Sequence, residues 1–364
     1  MKKPVVRIKD IADRANVSVG TVDRVIHNRG RVAPNVQKRV QRILEEMNYR
    51  PNMIARALGS NKEYRIAALI PDPYFDSYWR GPQEGIEKAE AGLRQYGVTV
   101  QQYAFNPYMA GSFFHRAKQA SDSGADGIFI APIFYRDTLP FFQEWQENNI
   151  PFVLFNTHIA ESGALSYVGQ DSYQSGLLAG KLIHYGQPNP CSVLIAHIDE
   201  EISNAAHLIN KEQGFRDYFK QNGIGDRYNI IRTELNMSNL SGFARNLGGV
   251  IDSTSNLQSI YVTTSKAYEI AAYLEQRNIT HIKVIGYDLL PKNMDCLDKG
   301  NISFLINQNP KGQGYWGIHQ LANYLVFKKE VLPLKYLPLD VVTKENAAYY
   351  MKDEMIFDDY NPTV

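Results

Sequence analysis

The chain has 364 residues, 44% of them hydrophobic and 21% charged, which is too long for one hydrophobic core and too apolar for an extensively disordered protein. Two cysteines, Cys191 and Cys296, rule out a disulfide scaffold and form no CxxC pair, and no apolar run approaches the roughly 20 residues of a membrane span. The net charge of +1 is unevenly spread: residues 1–65 hold 15 Lys and Arg against 6 Asp and Glu, while the remainder holds 24 against 32. A basic module on an acidic body implies a polyanionic partner for that module alone. The opening MKKPVVRIKD has no apolar stretch of signal-peptide length behind it, so a cytoplasmic location is expected.

Within the basic module, Ile8, Ile11, Ala12 and Ala15 recur at helical spacing, and Asn16-Val17 breaks the pattern. Ser18 is placed to cap a second helix that runs to about Ile26, with Val22, Val25 and Ile26 as its apolar stripe. After a loop rich in Asn, Gly and Arg, Pro34 opens a third helix whose Val36, Val40, Ile43, Leu44 and Met47 face inward. Two short helices joined by a tight turn, with a third behind them, make a helix-turn-helix, which sets the N-terminal residues of its second helix against base edges in a major groove. On spacing alone a small helical bundle for protein contacts is the alternative; the charge of the module favours DNA. Arg24 is the best physical candidate to read a base, because a guanidinium can grip guanine O6 and N7 together.

From Tyr64 onward β-like runs alternate with helical stretches. Runs at 65–71, 98–105, 126–132, 151–156 and 166–169 are followed by a second set at 191–197, 229–234, 259–263, 283–287 and 302–306, with helix-like segments such as 81–96, 172–185, 215–222 and 266–277 between them. This rhythm implies two similar lobes of about five strands each, with parallel sheets covered by helices and ligand bound beyond the carboxyl ends of the strands, in the cleft between the lobes. No internal sequence repeat is evident.

Ile8-Lys9-Asp10-Ile11-Ala12, Ala15-Asn16-Val17-Ser18, Thr21-Val22, Arg24-Val25, Asn48-Tyr49-Arg50-Pro51-Asn52 and Ile54-Ala55-Arg56-Ala57-Leu58 together resemble the opening of the lactose/galactose-repressor (LacI/GalR) family of bacterial transcription regulators. The match is dense through the first 58 residues and continues in layout. The resemblance implies an all-α helix-turn-helix DNA-binding domain over 1–50 and a hinge helix and linker over 51–63. Over 64–364 it implies an α/β, two-lobed effector domain like a periplasmic sugar-binding protein of the ribose-binding type, with Rossmann-like lobes of parallel sheets. Family members cross between lobes three times. Crossings placed near 187–190, 307–310 and 337–340 give lobes of about 64–188 plus 309–338 and 190–307 plus 339–364.

Position by position, the resemblance assigns Ser18, Val19, Gly20 and Arg24 to base edges and nearby phosphates, Thr21 to the DNA backbone and Asn28 to a further phosphate. Tyr49 and Asn52 lie in the matching segment and join the DNA-binding set. In the hinge, Leu58 matches the leucine that relatives wedge into the minor groove, with Ala55 one turn earlier on the same face. Gly20, with no side chain to read a base, and Asp23, where many relatives carry serine, depart from the pattern.

In the effector domain, Asp288 ends the apolar run Ile285-Gly286-Tyr287, where an unpaired carboxylate is costly; relatives use this aspartate on sugar hydroxyls. Gln308 matches a family cleft glutamine. Thr264 and Lys211 stand where relatives often carry asparagine and arginine, and Lys211 loses the bidentate fork. Tyr74, Phe75, Tyr78 and Trp79 follow the first strand, where aromatic rings suit the apolar face of a pyranose and one or two are expected to reach ligand. Asn156-Thr157 replaces the acidic-basic pair of ribose-type binders, and Arg136-Asp137 offers a further contact through Asp137. Asp171 is placed near the N-terminus of the helix after it.

HExxH, GxSxG and GxxxxGK[ST] are absent, so neither metal, cofactor nor enzymatic activity is expected. The expected function is a ligand-responsive, sequence-specific DNA-binding transcription regulator, a repressor by the family pattern. Its partners are a pseudo-palindromic operator, a small sugar or sugar acid, and a second copy, with no membrane. The 347–364 tail lacks a leucine heptad, which favours a homodimer over a tetramer. The alternatives are a carbohydrate-binding protein without regulatory role, which calls for an export signal and no DNA module, and a regulator using a purine-type co-repressor.

Overall fold

The computed structural model describes residues 6–26, 29–47, 49, 62–199 and 206–350. The chain divides between Gly59 and Ser60 into two compact units.

Among its described residues the N-terminal unit has three helices: α1 (Ile8–Ala15), α2 (Val19–Ile26) and α3 (Pro34–Glu46). Asn16 takes a left-handed conformation (φ 51°) and closes α1, a geometry that asparagine tolerates better than most residues. Ser18 Oγ accepts the Thr21 N–H at 3.1 Å and so caps α2, while Pro34 opens α3. Ile11, Ala12, Ala15, Val22, Val25, Val40 and Ile43 form the core. An Arg14–Glu46 pair at 3.2 Å ties α1 to α3.

The second unit runs β1 (Tyr64–Pro71), α4 (Arg80–Leu93), β2 (Val98–Phe105), α5 (Ala110–Asp122), β3 (Gly127–Ile130), α6 (Tyr135–Glu147), β4 (Phe152–Phe155) and β5 (Ser166–Gly169). It continues with α7 (Ser172–Gly186), β6 (Cys191–Ile198), α8 (Ala206–Gln221), β7 (Tyr228–Leu235), α9 (Leu240–Ser253), β8 (Leu257–Val262), α10 (Ala267–Gln276), β9 (Lys283–Tyr287), α11 (Pro291–Asp298) and β10 (Phe304–Asn307). The last elements are α12 (Pro310–Leu325), β11 (Leu334–Tyr336), β12 (Asp340–Val342) and α13 (Ala347–Tyr350). Two six-stranded sheets result, in the orders β11-β5-β4-β3-β1-β2 and β12-β10-β9-β8-β6-β7. Among the described pairings only β10–β12 is antiparallel. The expected five strands per lobe become six because the chain's last two strands, three residues each, add to the sheet edges.

The first crossing differs from the expected position. α7 packs on the second sheet, with Ala179 and Ile183 beside Val193, Ile195 and Tyr261. The chain therefore changes lobe at Gln170-Asp171, and 187–190 is a loop inside the second lobe. The other crossings fall between β10 and α12, and between β11 and β12. α12 packs on the first lobe, where Gly317 faces the Phe129 ring.

Each lobe contains one pair of helices in very close approach. A Cβ on Gly176 of α7 would lie 2.0 Å from the Lys211 carbonyl of α8, and a Cβ on Gly214 would lie 2.0 Å from the Tyr173 carbonyl. In the first lobe, Gly85 of α4 faces the Lys311 carbonyl at 2.0 Å in the same sense, and Gly314 of α12 faces that of Pro82 at 2.1 Å. Only hydrogen side chains permit such contact between helix backbones.

Candidate functional site

Strand ends from both sheets converge on a cleft of about 1060 Å³. Its floor lies in the second lobe. Asp288, fully buried directly after β9, has φ 66°, and its carboxylate accepts Gln308 Nε2 at 2.6 Å. Gln308 Oε1 in turn accepts from Gln170 Nε2 and from Lys211 Nζ at 3.4 Å. Lys211, buried on α8, also donates to the Thr263 carbonyl at 2.9 Å and lies 3.8 Å over the Tyr287 ring. Burial pushes the Asp288 carboxyl up to about 7, against the opposing pull of the Lys211 ammonium and the Gln308 hydrogen bonds.

Behind this floor His197 bridges Thr263 Oγ1 (Nδ1, 2.7 Å) and Glu212 Oε2 (Nε2, 3.1 Å). Burial alone would raise the Glu212 carboxyl, but hydrogen bonds from His197 and Arg216 hold it at about 2. The strand end that carries Lys211's acceptor is thus fixed from beneath. Thr264 Oγ1, Gln170 Oε1 and Gln313 Oε1 are buried without a hydrogen-bond partner, and Thr264 lines the cleft. Buried polar atoms of this kind are costly unless something pairs with them. A polyhydroxylated ligand suits such a floor, because each hydroxyl both donates and accepts.

The first lobe supplies an aromatic wall. Phe75, Tyr78 and Trp79 line the cleft, joined by Tyr108 and Phe134. Tyr78 and Trp79 are packed edge to face, with centroids 4.9 Å apart, and both are nearly buried. Asn156, after β4 and with φ 66°, donates from Nδ2 to Tyr78 Oη at 2.8 Å. At the mouth, Lys266 Nζ reaches across from the second lobe to Tyr108 Oη at 3.0 Å and pairs with Asp199. Burial works against that ammonium, yet Asp199, Asp76 and Tyr108 keep it above its ordinary range, so it stays charged.

Of the ten cleft residues expected from sequence, Phe75, Tyr78, Trp79, Asp137, Asn156, Lys211, Thr264, Asp288 and Gln308 line the cleft. Tyr74 does not: it is 86% exposed and meets Phe75 edge-on from the solvent side. Arg136 is exposed too, and Asp171 caps α7 by accepting the Gln174 N–H at 3.0 Å. Asp76, Tyr108, Asp199, His207 and Lys266 line the cleft without having been singled out. Asp76 and Lys266 sit at helix starts, so their patterns read as caps. In the N-terminal unit Ser18, Val19, Gly20 and Arg24 form an exposed face of α2 and its cap, with Thr21 half-buried. Tyr49 is half-buried and packs against the edge of the core. Asn28, Asn52, Ala55 and Leu58 lie outside the described residues. Among the described residues no cluster of three His, Cys, Asp or Glu could hold a metal, and no helix is long and apolar enough to cross a membrane.

Comparison with known proteins agrees with this architecture. Residues 66–329 match the periplasmic binding protein domain family, and residues 7–52 match the bacterial regulatory proteins of the lacI family. The chain belongs to the lacI family of bacterial regulatory proteins. It is a DNA-binding transcription regulator of that family. A Bacteroides fragilis chain assigned to the LacI transcriptional regulators is 30% identical, with a TM-score of 0.73 over 79% of this regulator and 100% of that chain. The ribose operon repressor of Halalkalibacterium halodurans is 23% identical over 291 residues, 78% of this regulator and 80% of that protein. The glucose-galactose binding protein GanP of Geobacillus stearothermophilus shares the fold, at 24% identity and a TM-score of 0.70 over 79% of this chain and 99% of its own.

Proposed function

We propose that this regulator is a cytoplasmic repressor that binds a pseudo-palindromic operator as a homodimer and releases it when a sugar or related polyol occupies the interlobe cleft. It acts by binding, without turnover. The observation that carries the reading is the pairing, in one chain, of an exposed α2 face with a cleft floor of buried Asp288, Lys211 and Gln308 and an unpartnered Thr264 hydroxyl. Two copies match a two-fold operator, since half-site symmetry mirrors protein symmetry. The effector acts through Gln308, which lies in one crossing and hydrogen-bonds Gln170 in another, so filling the cleft loads the segments about which the lobes turn.

The test is fluorescence anisotropy on operator fragments selected from random DNA, with and without monosaccharides and polyols. Linkage requires that operator change effector affinity by the factor with which effector changes operator affinity. Effector affinity that is identical with and without operator would falsify the allosteric reading, and light scattering that finds four chains would remove the dimer. Arg24→Ala is expected to weaken operator binding by about 1–3 kcal/mol and to relax preference at one base pair.

A further inference from the structure

The cleft is longer than one sugar ring needs. In the first sheet β4, β3, β1 and β2 lie side by side, and in the second β9, β8, β6 and β7 do. Asn156, Phe134, Phe75 and Tyr108 follow the first four strands in that order, and Asp288, Thr264, Asp199 and Asn236 follow the second four; all line the cleft. Its walls therefore extend over three strand-to-strand steps in each lobe, or roughly 14 Å at about 4.8 Å per step. A pyranose, built from bonds of about 1.5 Å, spans roughly 6 Å between its most distant oxygens. The surplus is not the gape of parted lobes, because the lobes meet at two places: Lys266 Nζ donates to Tyr108 Oη at 3.0 Å, and His207 Nδ1 lies 3.2 Å from Thr157 Oγ1. The space that remains is about 1060 Å³, at the top of the range of roughly 300–1,000 Å³ for small-molecule sites.

The two ends of this length offer the same kind of chemistry. At the inner end, beside the lobe crossings, the second lobe presents the polar side chains of Asp288, Gln308 and Thr264, and the first lobe presents Tyr78 and Trp79. At the outer end the second lobe presents Glu234, Asn236 and Ser238, in and after edge strand β7, and the first lobe presents Tyr108, after edge strand β2. Tyr78 and Trp79 are nearly buried, whereas Tyr108 is 50% exposed although Lys266 holds its hydroxyl. We propose that the effector carries two linked sugar rings, the inner one on the Asp288–Gln308 floor and the outer one between Tyr108 and the 234–238 segment. The inference rests on the cleft being the effector site. A sugar ring joins an apolar face to a rim of hydroxyls, so each end of the cleft suits one ring. A monosaccharide on the floor leaves the outer end to water; a second ring gains apolar burial over Tyr108 and hydrogen-bond partners on β7.

Titration calorimetry and thermal shift of the full-length protein test this with monosaccharides and the disaccharides built from them. The sets are glucose with maltose and cellobiose, galactose with lactose, mannose with mannobiose and xylose with xylobiose; adenosine and guanosine join one sugar to a flat base instead. In the set that binds, a disaccharide is expected to bind at least about tenfold more tightly than its component sugars, or about 1.4 kcal/mol. Tyr108→Ala is expected to cut that preference to roughly threefold or less, whereas Asp288→Asn weakens both members of the set. A monosaccharide or a nucleoside that binds as tightly as any disaccharide overturns the second sugar ring and leaves the cleft standing as the effector site. A preference undiminished by Tyr108→Ala overturns the outer end as the place of the second ring. No heat and no thermal shift from any compound overturns the cleft as a carbohydrate site, and the second ring with it.

Discussion

In the first lobe Asn156 directly follows β4, and in the second lobe Asp288 directly follows the strand at the equivalent position, β9; both residues have φ 66°. The next strands, β5 and β10, are followed by Gln170 and Gln308, which hydrogen-bond each other, and the helices that follow each pass to the opposite lobe and press a glycine against its first helix. The same construction is thus made twice, but its polar load is not shared. The buried charged groups Lys211 and Asp288 lie in the second lobe, while the first presents neutral Asn156, aromatic rings and the less buried carboxylates of Asp76 and Asp137. Keeping the most deeply buried charges within one lobe means that this pair is not split across the interlobe boundary, where separating it would expose one desolvated charge without the other.

The sharpest way to break this comparison is to set the floor against the wall. Asp288→Asn is expected to weaken effector binding about a hundredfold, as loss of a buried charged partner does, whereas Phe75→Ala should cost roughly three- to tenfold. Calorimetry with the effector ranks the two, and a larger loss from Phe75→Ala would reverse the division of labour. Next are the helix crossings. Gly176→Val and Gly85→Val should each destabilise by about 3 kcal/mol from overpacking. Only Gly176→Val should also shift effector affinity, because the carbonyl it strikes is that of Lys211. Equal affinities in the two variants would count against a floor confined to the second lobe.

Stability against pH sharpens the contrast further. Asp288 is pushed up to about 7 by burial, from about 3.9 in an unfolded chain, so its contribution is complete below about pH 4 and is lost as pH rises through 7. His319 of α12, on the first lobe, is pulled down to about 4 by burial and then by Lys335, from about 6.5 unfolded. Its contribution is present above about 6.5 and is lost as pH falls through 4. Scanning calorimetry should find that Asp288→Asn flattens the alkaline limb of the stability profile and leaves the acid limb alone; an unchanged alkaline limb would contradict this. The smallest effect expected is from Tyr108→Phe, which removes the 3.0 Å bond from Lys266 across the mouth at a cost of about 1 kcal/mol or less, read as a small loss in effector affinity.

What could be read from the sequence follows from how locally each feature is specified. An apolar run ending in Asp288, or Ser18 before a helical stripe, is a short-range pattern, and most of the cleft sat at such strand ends. The first crossing was misplaced because Gln187-Pro188-Asn189-Pro190 has the composition of a linker, whereas Gln170-Asp171 turns between lobes with no proline and a single preceding glycine. α8 was expected only from 215, but its first turns hold Lys211 inward, a burial that a polar stretch does not advertise. Which of Tyr74 and Phe75 faces the cleft depends on the backbone course of a loop, and β11 and β12 are too short to carry an alternating pattern.

The order in which the first lobe acquires its parts has a consequence for its synthesis. Strands β1 to β5 are complete at Gly169, but α12, which packs against α4 and covers Phe129, begins only at Pro310. At ribosomal speeds of about 5–20 residues per second, on the order of ten seconds separate the two. During that interval the nascent sheet offers one apolar face with its own cover not yet made. A chaperone or the emerging second lobe must shield it, so the yield of this protein should depend more on translation rate and growth temperature than its finished stability would suggest.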